Sequence, residues 1–280
     1  MHQKKLTIPD IRNRKNGIPI SAITAYDYPL AKMADAAGID IALVGDSLGM
    51  VVLGYPDTVS VTMEEMLHHA KAVVRGIEHA LVVVDMPFGS YNSSIPQVIG
   101  NANRLLKEGR VDAVKVEGGV IMAPTVAAMV RAGIPVQGHV GLTPQTATSL
   151  GGFKVQGKTA GAGRQLVDDA RALEDAGCFS IVLEAIPAPL AEHITKAVAI
   201  PTIGIGAGPG CDGQVLVIHD LIGLYDRFIP KFVKQYARVN EQVVAALTQY
   251  KAEVESRAFP DEAHSFTMEA EELDKLMRLY

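Results

Sequence analysis

The chain has 280 residues, 48% of them hydrophobic and 20% charged, with a formal net charge of −5. That is enough apolar material for a substantial core, and the negative balance gives no general attraction to nucleic acid or anionic lipid. No uninterrupted apolar run approaches the ~20 residues of a membrane span, and the opening MHQKKLTIPDIRNRK lacks the apolar stretch of a secretory signal. Cys178 and Cys211 have no CxxC spacing, which argues against a disulfide framework or zinc knot and points to the cytosol, where thiols stay reduced.

Strand-like runs then alternate with helical stretches. Ile20 to Tyr26 reads as a strand, followed by an Ala-rich helix from Pro29 that Gly38 stops. The second strand starts at Ile41 and reaches Asp46, and Thr62-Met63-Glu64-Glu65 is a capping box for a helix to about Ile77. Leu81 to Asp85 is the third strand, with a helix over Ile95 to Lys107, and Ala113 to Glu117 is the fourth, with a helix from Pro124 to Ala132. The fifth, Pro135 to His139, leads into a long glycine-rich loop through Lys158, then a helix from about Gly163 to Ala176. Ser180 to Glu184 is the sixth strand, Pro189 to Ala197 a helix, Pro201 to Ile205 the seventh strand and Gln214 to His219 the eighth. A last helix opens at Pro230 and runs to about Lys251.

Eight strands alternating with helices is the count of a (β/α)₈ TIM barrel, whereas a doubly wound open sheet more often stops at five to seven. No Pro-, Ser- or charge-rich linker divides the chain, so residues 1–255 read as a single barrel domain. Residues 256–280 form a tail in which Leu273, Leu276, Met277 and Leu279 are suited to cover a barrel end or a neighbouring subunit, or else to fray.

Four apolar runs meet acids at or just beyond their ends: Asp46, Asp85, Glu117 and Glu184. The C-terminal ends of parallel strands are where such folds open their ligand crevice, so these acids read as one site built from several strands. Alternation puts Lys115 and Glu117 on one face and Val114 and Val116 on the other. A buried Lys–Glu pair would explain that strand alone, but Asp46, Asp85 and Glu184 exceed what one lysine neutralises, and unpaired buried charges cost several kcal/mol or more. Oxygen ligands without paired His or Cys favour Mg²⁺ as the compensating cation. His139 shares its face with Gln137 at the end of the fifth strand, a position that favours a site role over a satisfied core histidine. His68-His69 on a helix suggests a surface role, and His79 and His193 have no distinguishing context. Gly204 to Gly210 after the seventh strand is a weak phosphate-loop signal, since glycine runs are usually tight turns.

The segments TAYDYPLA, VGDSLGMVVLGYPDTVSVTMEEM, VVVDMPFGSY, AVKVEGG, PVQGHVGLTPQ, GGFKVQGK, SIVLEAIP and PTIGIGAGPGCDGQVLVIHDLIGL together resemble the ketopantoate hydroxymethyltransferase family, in order from about residue 5 to 255. The resemblance implies a barrel of the phosphoenolpyruvate/pyruvate-type superfamily assembled as a homodecamer. It also implies folate-dependent hydroxymethyl transfer to 3-methyl-2-oxobutanoate, the first step towards pantothenate and coenzyme A. By the same resemblance Asp46 and Asp85 match direct Mg²⁺ ligands, and Glu117 matches a third metal-site acid, directly or through water. Ser47 and Lys115 match groups that hold the ketoacid, Glu184 matches the proton acceptor and His139 a site histidine. The co-substrate it implies is 5,10-methylenetetrahydrofolate, with the loops after strands five and seven as candidate contacts. The rivals are another metal–enolate lyase or mutase of the superfamily, which would typically add a reactive loop cysteine, and a non-enzymatic ketoacid-binding barrel.

Overall fold

A computed structural model describes residues 4–149 and 151–280, so Met1 to Gln3 of the opening stretch and Leu150 of the glycine-rich loop lie outside the described residues. The elements follow in the order α1 (Ile8–Arg12), β1 (Ile20–Thr24), α2 (Tyr28–Ala36), β2 (Ile41–Val44), α3 (Leu48–Val51), α4 (Met63–Gly76), β3 (Leu81–Asp85), α5 (Ile95–Lys107), β4 (Ala113–Glu117), α6 (Ala123–Arg131) and β5 (Val136–Gly141). They continue with α7 (Ala160–Asp175), β6 (Ser180–Glu184), α8 (Ala188–Ala197), β7 (Thr202–Ile205), β8 (Gly213–Leu216), α9 (Ile218–Leu221), α10 (Val239–Ser256) and α11 (Ala270–Met277). The eight strands close into a parallel barrel in sequence order, and β1 pairs with β8 through Ala22 opposite Val215. Polar side chains start the intervening helices: Asp27, Thr62, Ser94 and Thr159 accept N–H groups of α2, α4, α5 and α7, satisfying donors that no helix can pair internally.

Strand alternation sorts the apolar residues into two layers. Ile20, Ala22, Ile41, Leu43, Leu81, Val83, Ala113, Val182, Ile203 and Val215 pack inside the barrel, and fully buried Ile11 from α1 joins them at its N-terminal end. Val82, Val84, Val114, Val116, Val136, Ile181 and Leu183 face outward into a larger layer shared with the helices. At the C-terminal end the inward positions turn polar, and Asp85, Lys115, Glu117, Gln137 and His139 are all buried there.

Three sequence expectations shift. The eighth strand ends at Leu216 rather than His219, because the Ile218 N–H donates to Thr24 Oγ1 at 2.9 Å and the chain turns into α9. No helix separates β7 from β8, which the loop 206–212 joins directly. The last long helix opens at Val239, not Pro230, since the preceding residues are tied to the α9 turn through the Tyr236 N–H to Leu221 O (2.8 Å) and the Val239 N–H to Ile222 O (3.0 Å). Leu273, Leu276, Met277 and Leu279 of the tail are exposed on the single chain.

Candidate active site

Register explains why the polar side chains meet. Asp85 stands opposite Lys115 across β3 and β4, and Glu117 stands opposite His139 across β4 and β5. Lys115 Nζ lies 2.8 Å from Asp85 Oδ1 and 3.2 Å from His139 Nδ1. His139 Nδ1 is 3.6 Å from Glu117 Oε1, and its Nε2 is 3.2 Å from Glu184 Oε2 at the end of β6. Asp46, just past β2, donates its N–H to Asp85 Oδ2 at 3.0 Å. Ser47 beside it shares a 2.8 Å hydrogen bond with the buried Tyr26 hydroxyl. Asp46, Asp85, Lys115, Glu117, His139 and Glu184 therefore form one connected cluster, with Ser47 on its edge.

Charge and burial together set the protonation of this cluster. Burial, with the negative field of Asp85, raises the Asp46 pKa to about 7. Burial first, and Asp46 next, pushes Glu117 well above the carboxylate range. Burial raises Glu184 to about 8. Burial alone would lower Lys115, but Asp85, Glu117 and Asp46 together outweigh it and hold the ammonium charged. His139 is held neutral by burial and by Lys115. Its Nδ1 therefore accepts from the lysine, which leaves the proton on Nε2 towards Glu184.

The donor set fits a hard divalent cation. The acids outnumber the one lysine, and Asp85 Oδ1 and His139 Nε2 are buried without an aligned hydrogen-bond partner despite their close charged neighbours. Among the described residues, no group of three His, Cys, Asp or Glu side chains is arranged to hold a metal ion by itself. Mg²⁺ needs fewer protein ligands than that, since it keeps several waters and binds through one or two carboxylates plus substrate oxygens.

The geometry also brings in residues that strand-end reasoning missed. Gln145, on the turn after β5, links Asp46, Glu117 and Met86, and Tyr91 holds its amide. His69 is half-buried and bonds the Tyr26 carbonyl oxygen through Nδ1 at 2.6 Å, so its expected surface role gives way to a tether for Tyr26. His219 packs against the Tyr26 ring, with centroids 5.3 Å apart. Tyr26 and His219 each had a usable signal, as the end of a strand-like run. Cys178 is buried in the outer layer and Cys211 is half-buried near Thr195 and Thr202, so neither thiol belongs to the cluster. Ala185, directly after Glu184, has φ +47°, a left-handed conformation that costs an L-residue about 1–2 kcal/mol. Its N–H donates to Ile205 O and its carbonyl accepts from the Gln156 N–H, both at 2.9 Å, which pins the backbone that carries Glu184.

A sequence model described as ketopantoate hydroxymethyltransferase matches residues 5–262. A relative from Heliobacterium modesticaldum, 3-methyl-2-oxobutanoate hydroxymethyltransferase, is 62% identical over 269 residues, covering 96% of this chain and 98% of its own. The enzyme of the same name from Moorella thermoacetica is 59% identical, covering 94% and 98%. Among solved structures, phosphonopyruvate hydrolase in complex with oxalate and Mg²⁺ is similar at TM-score 0.61 and 13% identity, over 98% of both chains. A 2,3-dimethylmalate lyase of the PEP mutase/isocitrate lyase superfamily gives TM-score 0.56 at 17% identity, again over 98% of both. These two likenesses concern the barrel fold.

Proposed function

The chain belongs to the ketopantoate hydroxymethyltransferase family, and from that premise we propose that the acid-lined barrel mouth holds Mg²⁺ and takes its one-carbon unit from 5,10-methylenetetrahydrofolate. The enzyme transfers a hydroxymethyl group to 3-methyl-2-oxobutanoate and gives ketopantoate, on the route to pantothenate. The observation that carries the metal reading is the excess of acids, buried Asp46, Asp85 and Glu117 with half-buried Glu184, around the single cation Lys115.

In this reading Asp46 and Asp85 ligate Mg²⁺, with Glu117 as the third acid, directly or through water. The bound ion would supply Lewis acidity towards the 2-oxo group of the ketoacid. Ser47 and Lys115 hold the ketoacid, and the lysine places its fixed charge, kept by the surrounding acids, against the carboxylate or the developing oxyanion. Glu184 removes the C3 proton. Burial gives it a pKa of about 8, close to the operating pH where general bases are most effective. The neutral imidazole of His139 faces the substrate, with its Nε2 3.2 Å from Glu184 Oε2. The carbanion at C3 takes up the methylene carbon, both C–N bonds that tied that carbon to the folate break, water supplies the hydroxyl, and the C3 proton and one water proton end on the two freed nitrogens. The superfamily's lyase and mutase chemistry is the second reading, and the placement of both cysteines away from the cluster weighs against it.

The proposal extends to a cytoplasmic homo-oligomer, decameric as the family resemblance implies. Among the described residues, no helix is long and apolar enough to cross a membrane. Deuterium exchange at C3 of 3-methyl-2-oxobutanoate, followed by NMR in heavy water without folate, isolates the proton-transfer step. The wild type should exchange only with Mg²⁺ present. Glu184→Gln should bind the ketoacid normally yet exchange about 10²–10⁴-fold more slowly, the usual size of a general-base contribution. Wild-type exchange in the mutant would remove Glu184 from this role.

A further inference from the structure

We infer that Gln145 is a positioning residue for the cation site, tying the Asp46 and Glu117 carboxylates together while Tyr91 fixes the direction of its amide. This rests on the reading that those acids hold a divalent cation. Asp46 follows β2 and Glu117 ends β4, and β3 pairs with both strands and lies between them, so no register contact sets the distance between the two acids. Two carboxylates placed across an intervening strand repel each other when ionised, and a donor that spans them offsets part of that repulsion.

Gln145 is that donor. It sits on a turn at Pro144–Thr146 after β5 and is 4% exposed. Its backbone N–H donates to Glu117 Oε2 at 3.1 Å, and its side-chain Nε2 donates to Asp46 Oδ2 at 2.8 Å and to Met86 O at 2.9 Å. Its Oε1 accepts from the Tyr91 hydroxyl at 2.8 Å. A backbone carbonyl can only accept, so the bond to Met86 forces Nε2 to that side, and the Tyr91 hydroxyl satisfies the oxygen on the other. Every polar atom of the buried amide is used, and one orientation satisfies all of them. One oxygen of each acid is thereby fixed, and the other is left for a ligand.

Partners that orient metal ligands typically contribute 10- to 100-fold to metal affinity. The test is Mn²⁺ binding, read by electron paramagnetic resonance with no substrate present. Gln145→Leu keeps the bulk and the backbone N–H but removes the side-chain donors, and should weaken Mn²⁺ about 10- to 100-fold. Tyr91→Phe should weaken it less, and its effect should vanish in the Gln145→Leu background, because the two residues act through one amide. Thermal melting checks that each variant folds. If Gln145→Leu does not, Tyr91→Phe carries the test, since it removes one buried hydroxyl and nothing else. Wild-type Mn²⁺ affinity in a folded Gln145→Leu, or in Tyr91→Phe, overturns the inference while leaving the cation reading intact. Absence of Mn²⁺ binding in the wild type, or its retention in Asp85→Asn, overturns the cation reading and this inference with it.

Discussion

At the scale of single residues, the barrel mouth holds protons that the unfolded chain would release. Asp46 and Glu184 have folded pKa values of about 7 and about 8, and Glu117 is raised as well, all chiefly through burial, whereas carboxylates in an unfolded chain titrate near ~4. Raised carboxyl pKa values contribute stability that is present below the unfolded pKa and is lost as pH rises through the folded one. His139 acts in the opposite sense: its lowered pKa contributes stability above ~6.5 that is lost on acidification. The metal-free protein should therefore melt at a lower temperature at about pH 8.5 than at about pH 6.5. Mg²⁺ should raise the melting temperature more at the higher pH, because it competes with protons for the same oxygens. Calorimetry at both pH values, with and without Mg²⁺, checks this, and an equal Mg²⁺ effect at the two would count against the acids as its ligands. The acids were legible in the sequence because each sits at or just past the end of a β-branched run. Gln145 and Tyr91 were not, since both lie in loops where no period marks which way a side chain points.

At the scale of elements, the strands from β2 to β7 were legible to within two residues at each end, because strands buried on both faces read as continuous apolar runs. Legibility failed after β8, where the turn into α9 depends on a hydrogen bond from Ile218 to Thr24 that no local pattern announces. It failed again before α10, where Pro230 looked like a helix start but the residues after it are held by the α9 turn. The junction of β5 and β6 offers a test of how closely an element end positions chemistry. Gly141 has φ +100°, a Cβ built on it would strike the Glu184 carbonyl oxygen, and that oxygen accepts the Leu142 N–H at 2.8 Å. Gly141→Ala should cost about 1–3 kcal/mol from overpacking and backbone strain and should slow C3 exchange by displacing Glu184. Urea denaturation and the exchange assay measure the two effects, and normal values in both would show that the strand ends tolerate more movement than this packing allows.

At the scale of the whole molecule, the barrel leaves its last two helices, α10 and α11, unpartnered. None of the residues of α10 is buried, and Val243, Leu247, Tyr250 and Val254 are exposed along it. Their spacing of four, three and four places them on one helical face. Phe228, Phe232 and Tyr236 in the preceding loop, and Leu273, Leu276, Met277 and Leu279 in the tail, are exposed as well. An isolated 18-residue helix gains little from propensity alone, so a stripe of this kind needs a packing partner to be stable. The proposed homo-oligomer supplies one, because in a closed assembly the same stripe on each copy can be covered by another. The protein should therefore sediment far above its 29.8 kDa chain mass. Leu247→Glu together with Val243→Glu would place charge in the middle of the stripe and should shift the distribution towards smaller species, while the barrel's own core, which contains neither residue, keeps its circular dichroism. A monomeric wild type at micromolar concentration would sink the oligomer proposal, and an unchanged assembly in the double variant would move the interface away from α10.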